Sequence, residues 1–306
     1  MIESKSPQRW AIDLTVVLNA RGGDDRFPVD VKSLAKDYSH QAFPNDPITM
    51  VKGGDLDGFE GGLCKNPKRK NEWGIIYNSA ITSPGRINFT LAHEFGHYLV
   101  HRNQFPDGLQ CSAEDMAKWD SEYGQIEQQA NEFAATLLMP RDDFERQIAP
   151  NTQPSFDDLG ACAQRYGVSL SAATLRWLQF TKKRTLFVVS RDGFVLWARS
   201  SPEAFRSRAF IKTAGVPPVP LHPSSLAAQP YLLDGGKGRA EHSSFVWLNE
   251  PCVEETFVSD RYDLTYTLLH LGAAPERRFQ NDDDEEEGDD TYDRMVSRTP
   301  GTSWLG

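Results

Sequence analysis

The spacing of apolar and polar positions changes along this chain, and each change marks a different kind of element. After Pro28, Val31, Leu34, Ala35 and Tyr38 fall on one stripe, which predicts an amphipathic helix over about 29–39. From 48 to 89 the apolar runs are short and broken by Gly, Asn and Pro. Ile48 to Val51, Phe59 to Leu63 and Trp73 to Tyr77 read as strands of a small sheet. A helix is expected from near Asn88 to about His101, followed by a loop over 102–121. A second helix is expected from Glu122 to Met139, where Pro140 stops it. Two shorter helical runs, 157–166 and 170–180, flank Gly167-Val168-Ser169 in the layout of a helix-turn-helix.

Beyond Arg184 the pattern turns to strands. Thr185 to Ser190 and Phe194 to Arg199, joined through Asp192-Gly193, predict a hairpin. Further strands are expected at 244–249 and 254–258, and the Pro-, Gly- and Ser-rich stretch 214–240 reads as an internal loop. Phe187, Phe194, Trp197 and Trp247 read as the core of this region. From about 276 there are few apolar residues to bury, so the composition is that of a disordered tail. The fold class that follows is α+β: a small sheet with zincin-like metal-binding helices, a helical middle unit, and a β-rich C-terminal domain. The expected domains are 1–150, 151–183 and 184–275, with an acidic tail over 276–306.

Charge and cysteine content narrow the function classes. The formal net charge is -10 over 306 residues, but eight acids stand in 281–290 alone. The rest of the chain is close to neutral, so no global basic or acidic field points to DNA or an anionic membrane as partner. No apolar run reaches the roughly 18 residues that a membrane span requires, and the N-terminus has no signal-peptide pattern. Cys64, Cys111, Cys162 and Cys252 are widely spaced with no C-x-x-C pair, as expected of reduced thiols in a cytoplasmic protein.

The chemistry concentrates at His93-Glu94-Phe95-Gly96-His97. On a helix, positions i and i+4 stand one above the other, so both imidazoles can reach one metal ion. Glu94 is rotated about 100° from His93, beside the ligand row, where a general base belongs. Phe89, Leu91, Ala92, Tyr98, Leu99 and Val100 make this helix apolar on most sides. A buried His-Glu-His cluster is costly unless something binds it. His101 is not expected to share the ion, because eight residues place it about 12 Å from His93 along the axis. It is read instead as a helix C-terminal residue suited to the dipole. On the second helix, Glu127 and Asn131 border the apolar stripe formed by Ile126, Ala130, Phe133, Ala134, Leu137 and Leu138, whereas Glu132 lies about 140° away, toward solvent. Glu127 is the favoured third ligand on these grounds, with Glu122, Glu132 and Asp120 as alternatives.

The segment 85–101 containing His-Glu-Phe-Gly-His, followed by Ile126 to Pro140, resembles the ImmA/IrrE family of metallopeptidases. The Pro28–Ala35 segment and the Trp73–Asn78 strand are similar to that family's N-terminal pattern, and the resemblance covers about residues 25–180. It implies zinc held by His93, His97 and Glu127, with Glu94 catalytic, and it implies a substrate that is a helix-turn-helix repressor in a stress, phage or mobile-element response. His and carboxylate ligands also admit manganese or iron.

The contrasting expectation is a DNA-binding or protein-binding regulator whose metal site is not catalytic. Leu170, Ser171, Ala172 and Ala173 open the second helix of the helix-turn-helix-like unit, where base-reading side chains would stand, so direct nucleic-acid binding is not expected. Lys68-Arg69-Lys70 reads as a solvated turn, and Cys64 as a buried or half-buried thiol rather than a metal ligand. The acidic run at 281–290 reads as a solubilising end, or as a segment that steers a basic partner at low salt.

Overall fold

The computed structural model describes residues 5–109, 122–259 and 263–274. Cys111, Asp120 and the tail from 276 lie outside the described residues, as does the side chain of Glu122. The chain divides into two compact units. One runs to Phe144 and includes Gly160–Ala173; the other comprises Glu145–Leu159 and the chain from Thr174 on.

In the first unit, helix α1 (Pro7–Gly22) starts where the Ser6 hydroxyl accepts from the Arg9 amide and Pro7 occupies the first turn. Its buried face is Trp10, Ala11, Leu14 and Thr15, and Trp10 meets Tyr38 and Phe43 edge-on. Helix α2 (Val31–Ala42) is capped by Asp30. Strands β1 (Ile48–Gly54), β2 (Gly61–Lys65) and β3 (Trp73–Asn78) follow, then helix α3 (Pro84–His101), strand β4 (Gly108–Leu109) and helix α4 (Glu122–Leu138). The four strands lie in the order β1-β3-β2-β4. β1 runs parallel to β3, and β2 is antiparallel to both its neighbours.

Helix α3 begins four residues earlier than the pattern predicts. The Ser83 hydroxyl accepts from the Arg86 amide and Pro84 supplies the first helical residue, a start signal ahead of the apolar run. Its burial extends around much of its circumference, from Thr90 to His101. α3 packs on β2 and β3 on one side and on α4 on the other. At the far end the Arg102 guanidinium donates to the Tyr98 carbonyl and pairs with Asp46, which answers one of the carbonyls a helix end leaves open.

Helix α5 (Arg141–Gln147) follows Pro140, and helices α6 (Phe156–Tyr166) and α7 (Leu170–Leu178) form the helix-turn-helix-like pair. The turn between them is not free. Asn88 of α3 donates to the Gly167 carbonyl at 3.2 Å. Gly85 approaches so closely that a Cβ there would stand 2.5 Å from the Val168 backbone. Asp143, 2% exposed, receives both arms of Arg165 and the Tyr166 hydroxyl, tying α5 to α6.

The second unit carries an antiparallel sheet in the order β7-β6-β5-β10-β9-β8. Its strands are β5 (Thr185–Arg191), β6 (Phe194–Ser200), β7 (Val219–Pro220), β8 (Lys237–His242), β9 (Cys252–Ser259) and β10 (Leu264–Leu271), and a short helix α8 (Pro202–Arg206) follows β6. The β5–β6 turn has Asp192 and Gly193 both at positive φ, 52° and 80°, the geometry an Asp-Gly hairpin turn requires. Six consecutive buried residues on β5 show that both faces of this sheet are covered.

Three expectations are corrected here. Residues 244–249 form no strand; Phe245 is 78% exposed, with φ 76°. The strand lies upstream, at Lys237–His242, and begins inside the stretch 214–240 read as a loop. β8 is an edge strand whose residues alternate between exposed and half-buried, so it carries no hydrophobic run to reveal it. Phe187 and Trp197 are buried and Trp247 packs partly against the core, but Phe194 is 44% exposed at the head of β6.

Candidate metal centre

The close approach of α3 to α4 sets up this site. At Gly96 a Cβ would stand 2.9 Å from Cδ1 of Phe133 and 3.2 Å from its Cβ, so the glycine lets α4 settle against α3. Across that contact, Glu127 of α4 reaches the two histidines of α3. Its carboxylate oxygens lie 3.1 Å from His93 Nε2 and 3.3 Å from His97 Nε2, and the two Nε2 atoms are 2.9 Å apart. His93, His97 and Glu127 therefore form a group whose ligand atoms all lie within 4.8 Å of one another.

Each histidine is oriented through its other nitrogen. His93 Nδ1 faces the Asn131 side-chain oxygen at 3.0 Å, which accepts its proton and turns Nε2 toward Glu127. His97 Nδ1 faces His101 Nδ1 at 3.1 Å. Two imidazole nitrogens and a carboxylate thus converge, a donor set that can share a proton or hold a cation. Four ligands about 2.0–2.1 Å from one tetrahedral ion stand roughly 3.3 Å from each other, so the observed spacings suit zinc with nitrogen and oxygen donors.

The electrostatics of these side chains point the same way. Burial disfavours a charge on His93, but the carboxylate of Glu127 more than offsets it and raises the ring to about 9. A proton there takes the place of a cation. Burial lowers His97 despite the same carboxylate. Burial also works against the Glu127 carboxylate, yet the two histidines hold its pKa well below the ordinary value.

Glu94 is 6% exposed, and among the described residues no hydrogen-bond donor reaches its carboxyl. Burial raises that carboxyl to about 8, against the pull of His93. A dication nearby would favour its ionised form. Gly61 of β2 passes beside it: a Cβ there would meet Thr90 at 2.5 Å and the Glu94 Oε1 at 3.1 Å.

The remaining sequence candidates fall elsewhere. Glu132 is half-buried rather than turned wholly to solvent, because Gln8 of α1 donates to its carboxylate. His101 ends α3 as read, but its ring turns inward, 1% exposed. Burial pushes it down to about 4, so it stays neutral rather than serving the dipole as a cation. Cys64 stands on β2 with Sγ 3.5 Å from the Gly74 carbonyl, outside the ligand group. Burial, helped by the charge of Glu94, raises its thiol pKa. Sequence reasoning missed Gly61, Gly96, the inward turn of His101, and Gln129. Only Gly96, inside the motif, carried a signal: a small residue in a helix otherwise apolar and bulky.

Two helices that present a His-His-Glu group, with a buried glutamate beside the first histidine, define a metal-binding hydrolase of the H-E-x-x-H class. Residues 54–178 match the family model Peptidase_M78, described as an IrrE N-terminal-like domain. Over those residues the chain is thus similar to a metallopeptidase domain of the ImmA/IrrE type. Comparison with curated proteins gave no match.

Proposed function

We propose that this protein is a zinc-dependent endopeptidase that cuts a helix-turn-helix transcriptional repressor in a stress, phage or mobile-element response, in the cytoplasm. The observation that carries the reading is the convergence of His93 Nε2, His97 Nε2 and the Glu127 carboxylate beside a buried Glu94. A non-catalytic metal site has no use for that glutamate. The repressor as substrate is supported by the family resemblance alone, and the compartment by the free thiols of Cys64, Cys162 and Cys252. Among the described residues no helix is long and apolar enough to cross a membrane.

His93, His97 and Glu127 would hold the metal, while Asn131 keeps the His93 ring in the tautomer that binds. The chemistry supplied there by a bound zinc ion is Lewis-acid polarisation of the peptide carbonyl and acidification of water. Glu94 accepts the proton of the water whose oxygen attacks the carbonyl carbon. It then gives that proton to the amine nitrogen as the C–N bond breaks. Gly61 leaves the Glu94 carboxylate room to do both.

The test is incubation of the purified chain with the helix-turn-helix repressor encoded beside it, with and without chelator, read by mass spectrometry of the products. The reading predicts cleavage at an internal peptide bond that stops with chelator and returns with zinc. An intact repressor under all conditions would contradict the substrate, and cleavage unaffected by chelator would contradict the metal.

A further inference from the structure

We propose that His101 and Gln129 are positioning residues: together they fix the tautomer of His97 so that its Nε2 is bare and directed to the metal. The proposal rests on the metal-site reading above and assigns the group behind its second histidine.

The geometry gives the direction of each proton. His101 Nε2 lies 3.0 Å from Oε1 of Gln129. A carbonyl oxygen only accepts, so the His101 nitrogen that carries a proton is Nε2. His101 Nδ1 is then a bare acceptor, and it faces His97 Nδ1 at 3.1 Å. The proton between these two nitrogens therefore belongs to His97 Nδ1. His97 Nε2 is left with its lone pair, 2.9 Å from His93 Nε2 and 3.3 Å from the Glu127 carboxylate. Reversing the Gln129 amide would reverse every donor in the chain and place a proton on His97 Nε2, where it would block a metal.

His97 and His101 are one helical turn apart, and their rings stand 5.1 Å apart between centroids. Gln129 comes from α4, two residues after Glu127, so the helix that supplies the third ligand also sets the tautomer of the second. His93 is oriented in one step by Asn131. His97 needs two because its Nδ1 points along α3 into the next turn. Outer-shell partners of metal-binding histidines are worth about 10–100-fold in metal affinity.

The test measures the zinc dissociation constant by chelator competition on the full chain, with melting of the metal-free proteins by circular dichroism as the control for folding. His101→Phe keeps an aromatic ring but offers no acceptor, and should weaken zinc binding about 10–100-fold. His101→Asn places an amide oxygen near the position of Nδ1 and should recover most of that loss. A purely structural role for the ring would give the opposite ranking of these two variants. Gln129→Met should weaken binding by a smaller factor. Wild-type affinity in a folded His101→Phe variant would overturn the proposal. Should that variant not fold, wild-type affinity in Gln129→Met would do so. A wild type that binds no zinc would instead overturn the metal-site reading itself, a result distinct from a wild type that binds and variants that match it.

Discussion

Two carboxylates, half-buried Glu127 on α4 and fully buried Glu254 on β9, both meet histidine nitrogens, and their surroundings differ in kind. Glu254 is fully buried and accepts from the Leu226 and Ala227 amides at 3.1 and 2.9 Å. It also accepts from His242 Nε2 at 2.7 Å, Trp247 Nε1 at 2.8 Å and Thr256 Oγ1 at 2.7 Å. Every one of those contacts brings a hydrogen to the carboxylate. That node ties the 3-10 turn Leu226–Ala228 and the Trp247 loop to the sheet. Glu127 lies 3.1 and 3.3 Å from the Nε2 atoms of two histidines whose Nδ1 atoms face Asn131 and His101. A carboxylate ringed by amide, indole and hydroxyl donors holds a fold together, whereas one set between two imidazole Nε2 atoms offers a place for a cation.

Separate substitutions should split these roles. Glu254→Ala leaves five buried donors without their acceptor, at roughly 1–3 kcal/mol for each one that stays unsatisfied. It should lower the unfolding free energy of the second unit by several kcal/mol in denaturant titration, while zinc affinity stays unchanged. Glu127→Ala should do the reverse. Zinc binding should fall by more than the roughly 10–100-fold that an outer-shell loss costs, with little change in the melting of the metal-free chain. Equal metal loss from both variants would erase the distinction.

The second unit also has a buried imidazole whose titration should show in its stability. His270 on β10 is 2% exposed, hydrogen-bonded to Thr185, and meets the Trp177 ring edge-on. Burial, with the charge of Arg239 adding, lowers it from 6.5 to about 4. Between those values the unfolded chain binds a proton that the folded one refuses, so stability is complete above pH 6.5 and is lost as pH falls toward 4. The loss should approach about 3 kcal/mol for this group. His270→Leu should flatten that part of the pH profile, and an unchanged slope would remove the group from the account.

Gly96→Ala tests the packing that brings the two helices together. An added methyl improves helix propensity by about 0.5–1 kcal/mol. Overpacking against Phe133 costs about 1–3 kcal/mol and should win. The variant should melt lower and bind zinc more weakly, since Glu127 moves with α4. Glu132→Ala, the smallest effect, should cost only its contact with Gln8 and leave zinc affinity as it is.

How far the sequence reveals this molecule depends on what each element buries. The i, i+4 histidines of α3 and the Glu127–Asn131 pair could be placed because side chains that must stay near a core obey helical periodicity. The Asp192-Gly193 turn could be placed because few dipeptides accept two positive φ values. Helix α1 was not foreseen, although Ser6, Pro7 and the spacing Trp10, Ala11, Leu14 and Thr15 carry a start signal and a buried face. Strand β8 is an edge with polar residues and could not announce itself by hydrophobic pattern. His101 was excluded as a ligand by the rise of the helix, and its ring indeed lies behind His97, away from the ligand group. What helical geometry alone could not show is that a histidine one turn along sets the tautomer of its neighbour, because that depends on the Gln129 oxygen of another helix.

The central claim is that Glu94 acts as a base beside a metal held by His93, His97 and Glu127. It is tested most directly by Glu94→Gln, with zinc content and repressor cleavage rate measured on the same preparation. The account predicts wild-type zinc content and a cleavage rate lower by about 10²–10⁴-fold, because only the proton acceptor is gone. Cleavage at the wild-type rate with zinc in place would contradict it.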